Sequence, residues 1–472
     1  MVSVVRISAV DFLNVGQGDA AIVSLEGGWR GMFDGGRERD LRPFIPALLR
    51  GRMDLVVGTH FDADHLEGLA AAIEQGMDAG HVIVPAQVHP TGETVTGHEG
   101  WGGAFNVESP LLAHHFAAGR SLESAYQSLE ERAVGLVQSV SSLEADIRGA
   151  QQYGSAEPAG GSGALEAEQS ATASDIASNV GLPSISRVLE VASRGAARPE
   201  FRSGGLRPFF RGASALSREV ISASSLKRLI DALEARRIPW SAPTAPDLAT
   251  PAIGSVASNK GLKSWHVAPT HRYVDYYASH VRDVWDRVLR LMALEVDTGL
   301  PTLSNRLSHV FVLEDAHGAV LVVCGDSGFH YGRRVPDSMS TGWQEPFGRA
   351  NLLHLPHHGG RWGRFGSRAR RALSSHRGHL SMYVSVGLDR SDPPGRAVAP
   401  FAKGVTHGRG GQLLLANVPK GNLGSLVRRR TGRTGSGPAI LRFTRTSIDW
   451  TASGVEVDDT PSSIAPISVS LP

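Results

Sequence analysis

Apolar positions in this chain fall into short runs separated by glycine-rich turns, with helical spacing in the stretches between them. Three β segments open it: Val4–Val15, Ala20–Leu25 and Gly31–Phe33. A short helix follows at 41–50, and strands at 54–59 and 81–85 flank a helix at 66–75. The pattern changes at Pro90. Residues 91–110 are rich in glycine and polar side chains, Ser121–Leu143 is apolar at helical spacing, and 149–175 is rich in Ala, Gly, Ser, Glu and Gln. A further Gly/Arg-rich stretch at 194–214 reads as loop. Residues 91–220 therefore read as an insertion, helical at its start and partly disordered after.

Regular patterning resumes with a helix at Ser217–Arg237, stopped by Ile238-Pro239. A strand at Trp265–Pro269 and a helix at 274–297 come next. Strands at 308–314 and 319–325 form a hairpin across Asp315-Ala316-His317-Gly318. Four more segments, 351–355, 381–386, 411–417 and 438–450, complete the strands, and the Ser-, Pro- and Asp-rich tail 451–472 reads as frayed. This order predicts an α/β protein whose core comes in two halves, 1–90 and 221–450, around the insertion. The whole reads as two β-sheets packed face to face with helices outside.

Composition narrows the class. The chain has 472 residues, 41% of them hydrophobic, and no apolar window approaches the roughly 18 residues a membrane helix needs. No basic segment leads into an apolar one at the start, so the reading is a cytoplasmic protein with no membrane partner. The single cysteine, Cys324, lies in an apolar run and reads as an inert core residue. Net charge is +2, from 48 basic and 46 acidic residues, which exerts no global pull toward nucleic acid. Locally, arginines cluster at 361–377 and again at 428–433. A planar guanidinium can give two hydrogen bonds to one phosphate; a solvated helix face competes equally for either cluster alone, and the first cluster's place just after the His-His-Gly block tilts it toward substrate.

The densest chemistry is His60-Phe61-Asp62-Ala63-Asp64-His65. Four candidate metal ligands, His60, Asp62, Asp64 and His65, sit between the apolar run Leu55–Val57 and a helix. That is the carboxyl end of a strand, where α/β folds build sites. Carboxylates and imidazoles crowded into one turn call for a divalent cation, which also lowers the pKa of bound water. The competing reading has Asp64 simply capping the helix.

The surrounding motifs shift that balance. Val10-Asp11-Phe12-Leu13-Asn14-Val15-Gly16-Gln17-Gly18-Asp19, Met32-Phe33-Asp34-Gly35-Gly36, the His60–Gly68 loop, Asn305–Val312 with Val320–Asp326, and Leu352–Gly360 with its His-His-Gly block occur in that order. Together they resemble the metallo-β-lactamase fold superfamily, and within it the hydrolase domain of the ComEC/Rec2 competence proteins. The resemblance implies a four-layer αββα sandwich and a site for two divalent metal ions. His60 and Asp62 would hold one, Asp64 and His65 the other; Asp326 would bridge them and His357 would complete one sphere. Asp19 and Asp34 would orient ligands through hydrogen bonds. Asp62 stands where many members of the superfamily have histidine, and an oxygen-rich set makes manganese a competitor of zinc.

Two features of that family are missing. None of His266, His271, His280 and His309 lies in a motif matching its additional ligand histidine. Its histidine after the Ser-x-Gly strand is absent too, because Ser385-Val386-Gly387 leads to Ser391-Asp392-Pro393-Pro394. His358 and His407 are left as candidate general acids, with Asp64 the catalytic carboxylate. His89, His98, His114 and His115 read as structural. Three functions fit this sequence. The first is a metal-dependent phosphodiesterase acting on nucleic acid, with Arg361, Arg364 and Arg368 against its phosphates. The second hydrolyses a small ester, thioester or nucleotide. The third is a sensing module with a vestigial site whose insertion 91–220 engages a protein partner.

Overall fold

Two eight-stranded sheets carry the fold in a computed structural model of the chain. The structure describes residues 5–16, 18–86, 225–226, 228–253, 262–274, 305–327, 337–359, 365–375, 378–387, 398, 401–405, 410–419, 421–445 and 450–471, with isolated positions between 171 and 193. The chain divides into two compact units, residues 1–101, 228–276 and 299–472 in one and 102–227 with 277–298 in the other. Most of the second unit lies outside the described residues, as do most of the insertion 91–220 and nearly all of the helix expected at 274–297.

The first sheet is built from β1 (Ile7–Leu13), β2 (Ala21–Leu25), β3 (Arg30–Phe33), β4 (Leu55–Val57), β5 (Val82–Ile83), β6 (Trp240–Ser241), β14 (Ile440–Arg445) and β15 (Trp450–Val455). Their order is β15-β14-β1-β2-β3-β4-β5-β6. The second holds β7 (Ala252–Ile253), β8 (Lys263–Ala268), β9 (Val310–Glu314), β10 (Val320–Val323), β11 (Leu352–His354), β12 (Leu380–Val384), β13 (Gly411–Leu415) and β16 (Ile467–Leu471). Its order is β16-β13-β12-β11-β10-β9-β8-β7. Each sheet contains a parallel block, β3 to β6 in one and β10 to β13 in the other. The inner strands read as unbroken apolar runs because both faces are covered.

Alternation along those strands separates two cores. Phe311, Leu313, Leu321, Leu352, Tyr383 and Leu414 from the second sheet share one cluster with Val10, Phe12, Val23, Phe33, Val57 and Phe443 from the first. The neighbouring residues Val312, Val322, Leu353, Met382 and Leu413 face the other way. They meet Trp343, Phe347, Ala369, Leu373, Phe401 and Val427, which belong to helical segments and the turns leading into them. Those helices include α2 (Phe365–Ser374) and α3 (Gly421–Thr431). In the first sheet's half, α1 (Ala63–Glu74) buries nine of its twelve residues. Among the described residues, no helix is long and apolar enough to cross a membrane.

Several expected elements differ in detail. The helix at 41–50 is broken into Glu38–Leu41, a 3-10 turn at Arg42–Phe44 and Ile45–Leu48, because Pro43 and Pro46 lack the N–H that a continuous helix needs. The segment 438–450 contains β14 and the start of β15, paired as an antiparallel hairpin. The tail is not frayed in the described residues: β15 pairs with β14, and β16 adds to the edge of β13. Ile467 and Val469 alternate with serine and are buried, so a period of two drives this strand even inside a polar composition.

A buried ion pair ties the sheets together. Arg445, on β14, donates through Nη1 to both Asp315 oxygens, at 3.0 and 2.9 Å. Asp315 sits in the β9–β10 turn and also accepts from the Ile7 backbone at 3.0 Å. Replacing Arg445 with leucine strands that carboxylate in the interior. We expect a loss of about 3–5 kcal/mol in chemical denaturation; a loss below 1 kcal/mol would mean the pair carries no net stability.

Candidate metal centre

The parallel blocks put the chemistry in one place. Asp34 follows β3, Thr59 and His60 follow β4, Asp326 follows β10, His357 and His358 follow β11, and Ser385 follows β12. All of these are carboxyl ends of parallel strands.

Close backbone packing locks the His60–His65 loop. Gly18, in the Gly-Gln-Gly-Asp turn, lies so close that a Cβ there would come within 2.4 Å of the Asp64 carbonyl oxygen. A Cβ on Gly68 would fall 2.0 Å from the Gly35 carbonyl oxygen. Across that contact Gly35 N donates to His65 O at 2.8 Å and Gly68 N to Gly36 O at 2.9 Å. Asp62 occupies the N-cap position of α1 with extended backbone, and its side chain makes no capping bond. Asp64 does not cap the helix either; its Oδ2 stands 3.6 Å from His358 Nε2.

Three imidazoles are aimed alike. His65 Nδ1 donates to Asp34 Oδ2 at 2.9 Å, and the same carboxylate accepts from Thr59 N and Thr59 Oγ1, each at 2.7 Å. Thr59 Oγ1 gives its proton to Asp34, so it accepts from His60 Nδ1 at 3.2 Å. Ser385 Oγ gives its proton to Asp19 Oδ1, so it accepts from His358 Nδ1 at 2.9 Å. Each ring is thereby held on its Nδ1 side, with Nε2 turned inward. Carboxylates and hydroxyls orient metal-ligating histidines in this way.

The inward atoms surround Asp326. Its Oδ1 lies 3.4 Å from His65 Nε2 and 3.7 Å from His358 Nε2. Its Oδ2 lies 3.7 Å from His60 Nε2 and 3.9 Å from His357 Nε2, and accepts from Asn305 Nδ2 at 3.1 Å. His60 Nε2 is 3.5 Å from Asp62 Oδ2. The two oxygens of Asp326 therefore face different sets of imidazoles. His60 Nε2, His65 Nε2, His358 Nε2 and Asp326 Oδ1 are buried with no hydrogen-bond partner. Their separations are too long for direct hydrogen bonds. They are close to the roughly 3.3 Å that two ligand atoms span around a tetrahedral metal with bonds of about 2.0–2.1 Å. His60, His65 and Asp326 form one group able to hold a metal ion; Asp64, His65 and His358 form another.

Electrostatics agree with the geometry. Burial alone would lower the His65 pKa, but the Asp34 and Asp326 carboxylates outweigh it and hold the ring well above its ordinary value. His358 is likewise pushed up to about 10, the charges of Asp326 and Asp19 overcoming burial. Burial favours the neutral forms of Asp64 and Asp326, yet the surrounding imidazoles keep both well below the usual carboxylate range. Without a cation the cluster neutralises itself with protons on its histidines, and a metal would displace them.

The remaining expected residues are placed as follows. His357 is partly exposed and joins none of the potential metal groups, whereas His358 joins two. Asp19 is buried; its Oδ1 takes the Ser385 bond and lies 3.3 Å from His354 Nε2. Arg361, Arg364 and His407 lie outside the described residues, as do His89, His98, His114, His115 and His280. Arg368 pairs with Asp337 at 2.9 Å and stacks over Trp343. His266 and His309 bond to each other at 3.0 Å, and His309 Nε2 donates to Val84 O at 3.0 Å. Burial pushes both rings down, His309 to about 4. Cys324 is buried, which raises its thiol pKa. Sequence reasoning missed Thr59, Asn305 and Ser385. Thr59 and Asn305 each border a ligand motif, a usable signal; Ser385 becomes visible only in three dimensions. No protein-family model matches the chain, and no curated protein matches it.

Two outcomes follow from this geometry. Asp34→Asn should weaken metal binding about 10- to 100-fold in a competition titration; an unchanged affinity would show that the Asp34–His65 bond does not set ligand orientation. The second concerns pH. His65 and His358 bind protons more tightly in the folded chain than unfolded, where the ordinary value is 6.5. Their contribution to the metal-free protein is complete below pH 6.5 and is lost as pH rises through about 10. Melting of the chelator-treated protein should therefore fall across that window, while the gain on adding metal grows. Parallel curves with and without metal would contradict it.

Proposed function

We propose that this chain is a metal-dependent hydrolase with the four-layer αββα architecture of the metallo-β-lactamase superfamily, and that its substrate is the phosphodiester backbone of a nucleic acid. The observation that supports it most is the set of inward-facing, unpartnered ligand atoms divided between the two oxygens of Asp326. The donors would suit two divalent ions, zinc or manganese: His60, Asp62 and Asp326 would hold one, and Asp64, His65, His358 and Asp326 the other. Bound there, such a pair supplies Lewis acidity toward a phosphoryl oxygen and makes water acidic enough to ionise near neutral pH.

The chain's own residues define the rest of the chemistry. Asp34, Thr59 and Ser385 fix the ring orientations, so little reorganisation is needed during reaction. Asp64 is partly exposed and stands 3.6 Å from His358 Nε2, so its ionised carboxylate would offer the second ion an oxygen at the rim of the buried cluster. His357 is partly exposed, its Nε2 3.9 Å from Asp326 Oδ2, and would hand a proton to a leaving group. Its backbone, that of His358 and that of Gly359 are all left-handed, with φ of 53°, 48° and 74°. Such a turn survives in non-glycine residues only where its surroundings enforce it.

One observation favours a smaller substrate. Arg368 is committed to Asp337 and Trp343, which removes it from phosphate binding and weakens the case for a long backbone beside the His-His-Gly block.

Purification without chelators should give close to two equivalents of divalent metal per chain by elemental analysis. The loaded protein should cut single-stranded or duplex nucleic acid, and Asp64→Ala should abolish cutting while leaving the fold intact by circular dichroism. Full activity in Asp64→Ala sinks the site assignment. Turnover of a nitrophenyl phosphodiester with none on any oligonucleotide moves the assignment to a small-ester hydrolase.

A further inference from the structure

The near-neutral total conceals a strong separation of charge. Residues 346–448 carry eighteen Lys and Arg against two acids, Asp389 and Asp392; the rest of the chain carries thirty against forty-four. The short stretch that supplies α2, the helical residues 401–405 and α3 is thus net +16, inside a protein whose remainder is net −14.

The fold gathers that charge on one side of the second sheet. Ala369, Ala372 and Leu373 of α2, Phe401, Ala402 and Val405, and Val427 of α3 all enter the same apolar cluster against that sheet. Their basic neighbours point away from it: Arg370, Arg371, Lys403, Arg428, Arg429 and Arg430 are exposed. The side chain of Arg370 lies over Gly404, so α2 and the 401–405 helix are in direct contact. Among the described residues none of these six makes an ion pair, whereas Arg349, Arg368, Arg442 and Arg445 from the same segment are each matched to carboxylates. Among the described residues, Arg428 and Arg429 bond only to Ser425 of their own helix.

We infer that this helical face is a docking surface for the phosphate backbone of a nucleic-acid strand, separate from the metal centre. Sixteen of the eighteen bases are arginine, the side chain suited to forked phosphate contacts. A membrane surface is the poorer match. The large exposed hydrophobic residues among those described are Leu49, Leu248 and Ile464, and none lies on these helices to enter a bilayer. Backbone contacts of this kind are independent of sequence and strongly salt-dependent. The inference rests on the nucleic-acid reading of the metal centre, and it supplies the phosphate contacts that Arg368 does not.

The test uses full-length Asp64→Ala protein, so that the probe is not cut, and a labelled single-stranded 30-mer in DNA and RNA forms at several salt concentrations. Replacing Arg370, Arg371, Arg428, Arg429 and Arg430 with glutamine should weaken binding to both strands and flatten the log–log salt slope by about 0.7 for each arginine engaged. Lysine at the same five positions should keep most of the slope, and glutamine at 370–371 alone or at 428–430 alone should give partial losses, which guards against a misfolded quintuple variant. Equal slopes for the parent and the glutamine variant overturn the inference. So does a parent that binds phosphatidylserine vesicles but neither oligonucleotide. If wild-type protein cuts no nucleic acid yet the slope still depends on these arginines, the surface stands and the hydrolase reading fails. Cutting without that dependence gives the reverse.

Discussion

The local structure depends on one electrostatic constraint: Asp326 is buried among imidazoles rather than among hydrogen-bond donors dedicated to it. Removing a carboxylate from water costs several kcal/mol unless it is paired. Among the described residues, only Asn305 gives it an ordinary hydrogen bond. The remaining compensation must come from protons on the histidines or from a cation shared with them. Every other feature of the centre follows from keeping those nitrogens aimed at that carboxylate. Asp34, Thr59 and Ser385 each take the outer nitrogen of one ring, which fixes where the inner nitrogen points.

Such aiming needs the loops to approach more closely than side chains allow. Glycine provides the room at Gly18 and Gly68, where a Cβ would overlap a backbone oxygen of the facing loop. The Asp-Gly-Gly turn after β3 can therefore lie directly on α1, with Asp34 itself held in a left-handed conformation at φ 56°. The parallel blocks do the coarse positioning and the glycines do the fine positioning. The sheets stay registered through Asp315, which a backbone amide of one sheet and a guanidinium of the same sheet both reach from the opposite side.

Much of this was legible in the sequence because the signals are local. Apolar runs ending in Asp-Gly, Gly-Asp or His-x-Asp mark strand ends bearing candidate ligands, and the inner strands of both sheets fall where the pattern puts them. What escaped detection was long-range or brief. β6 and β7 have two residues each, too few to show any period. β16 alternates clearly, Ile467-Ser468-Val469-Ser470-Leu471, but its polar surroundings disguise it. The partnership of Ser385 with Asp19 spans 366 positions and arises only because β12 ends beside the turn after β1. Arg368 looked like a phosphate ligand from its place after the His-His-Gly block; Asp337, thirty-one residues earlier, claims it.

The buried histidines show why residue type and burial together still do not identify a site. His65 and His358 are pushed toward the charged form, His266 and His309 toward the neutral one. His65, His309 and His358 are buried and His266 is half-buried, and desolvation acts on each in the same direction. The difference lies in the neighbours. His65 and His358 face carboxylates, which reverse the effect of burial; His266 and His309 face each other and a backbone carbonyl, which do not. In His309 both nitrogens are spent, Nδ1 on His266 and Nε2 on the Val84 carbonyl, and among the described residues no carboxylate bonds to the pair, so it packs beside Phe311. A ring whose outer nitrogen is spent and whose inner nitrogen is buried, unpartnered and turned to a carboxylate has one atom reserved. That reserved atom, repeated on three rings around a single aspartate, separates a candidate metal centre from a polar core.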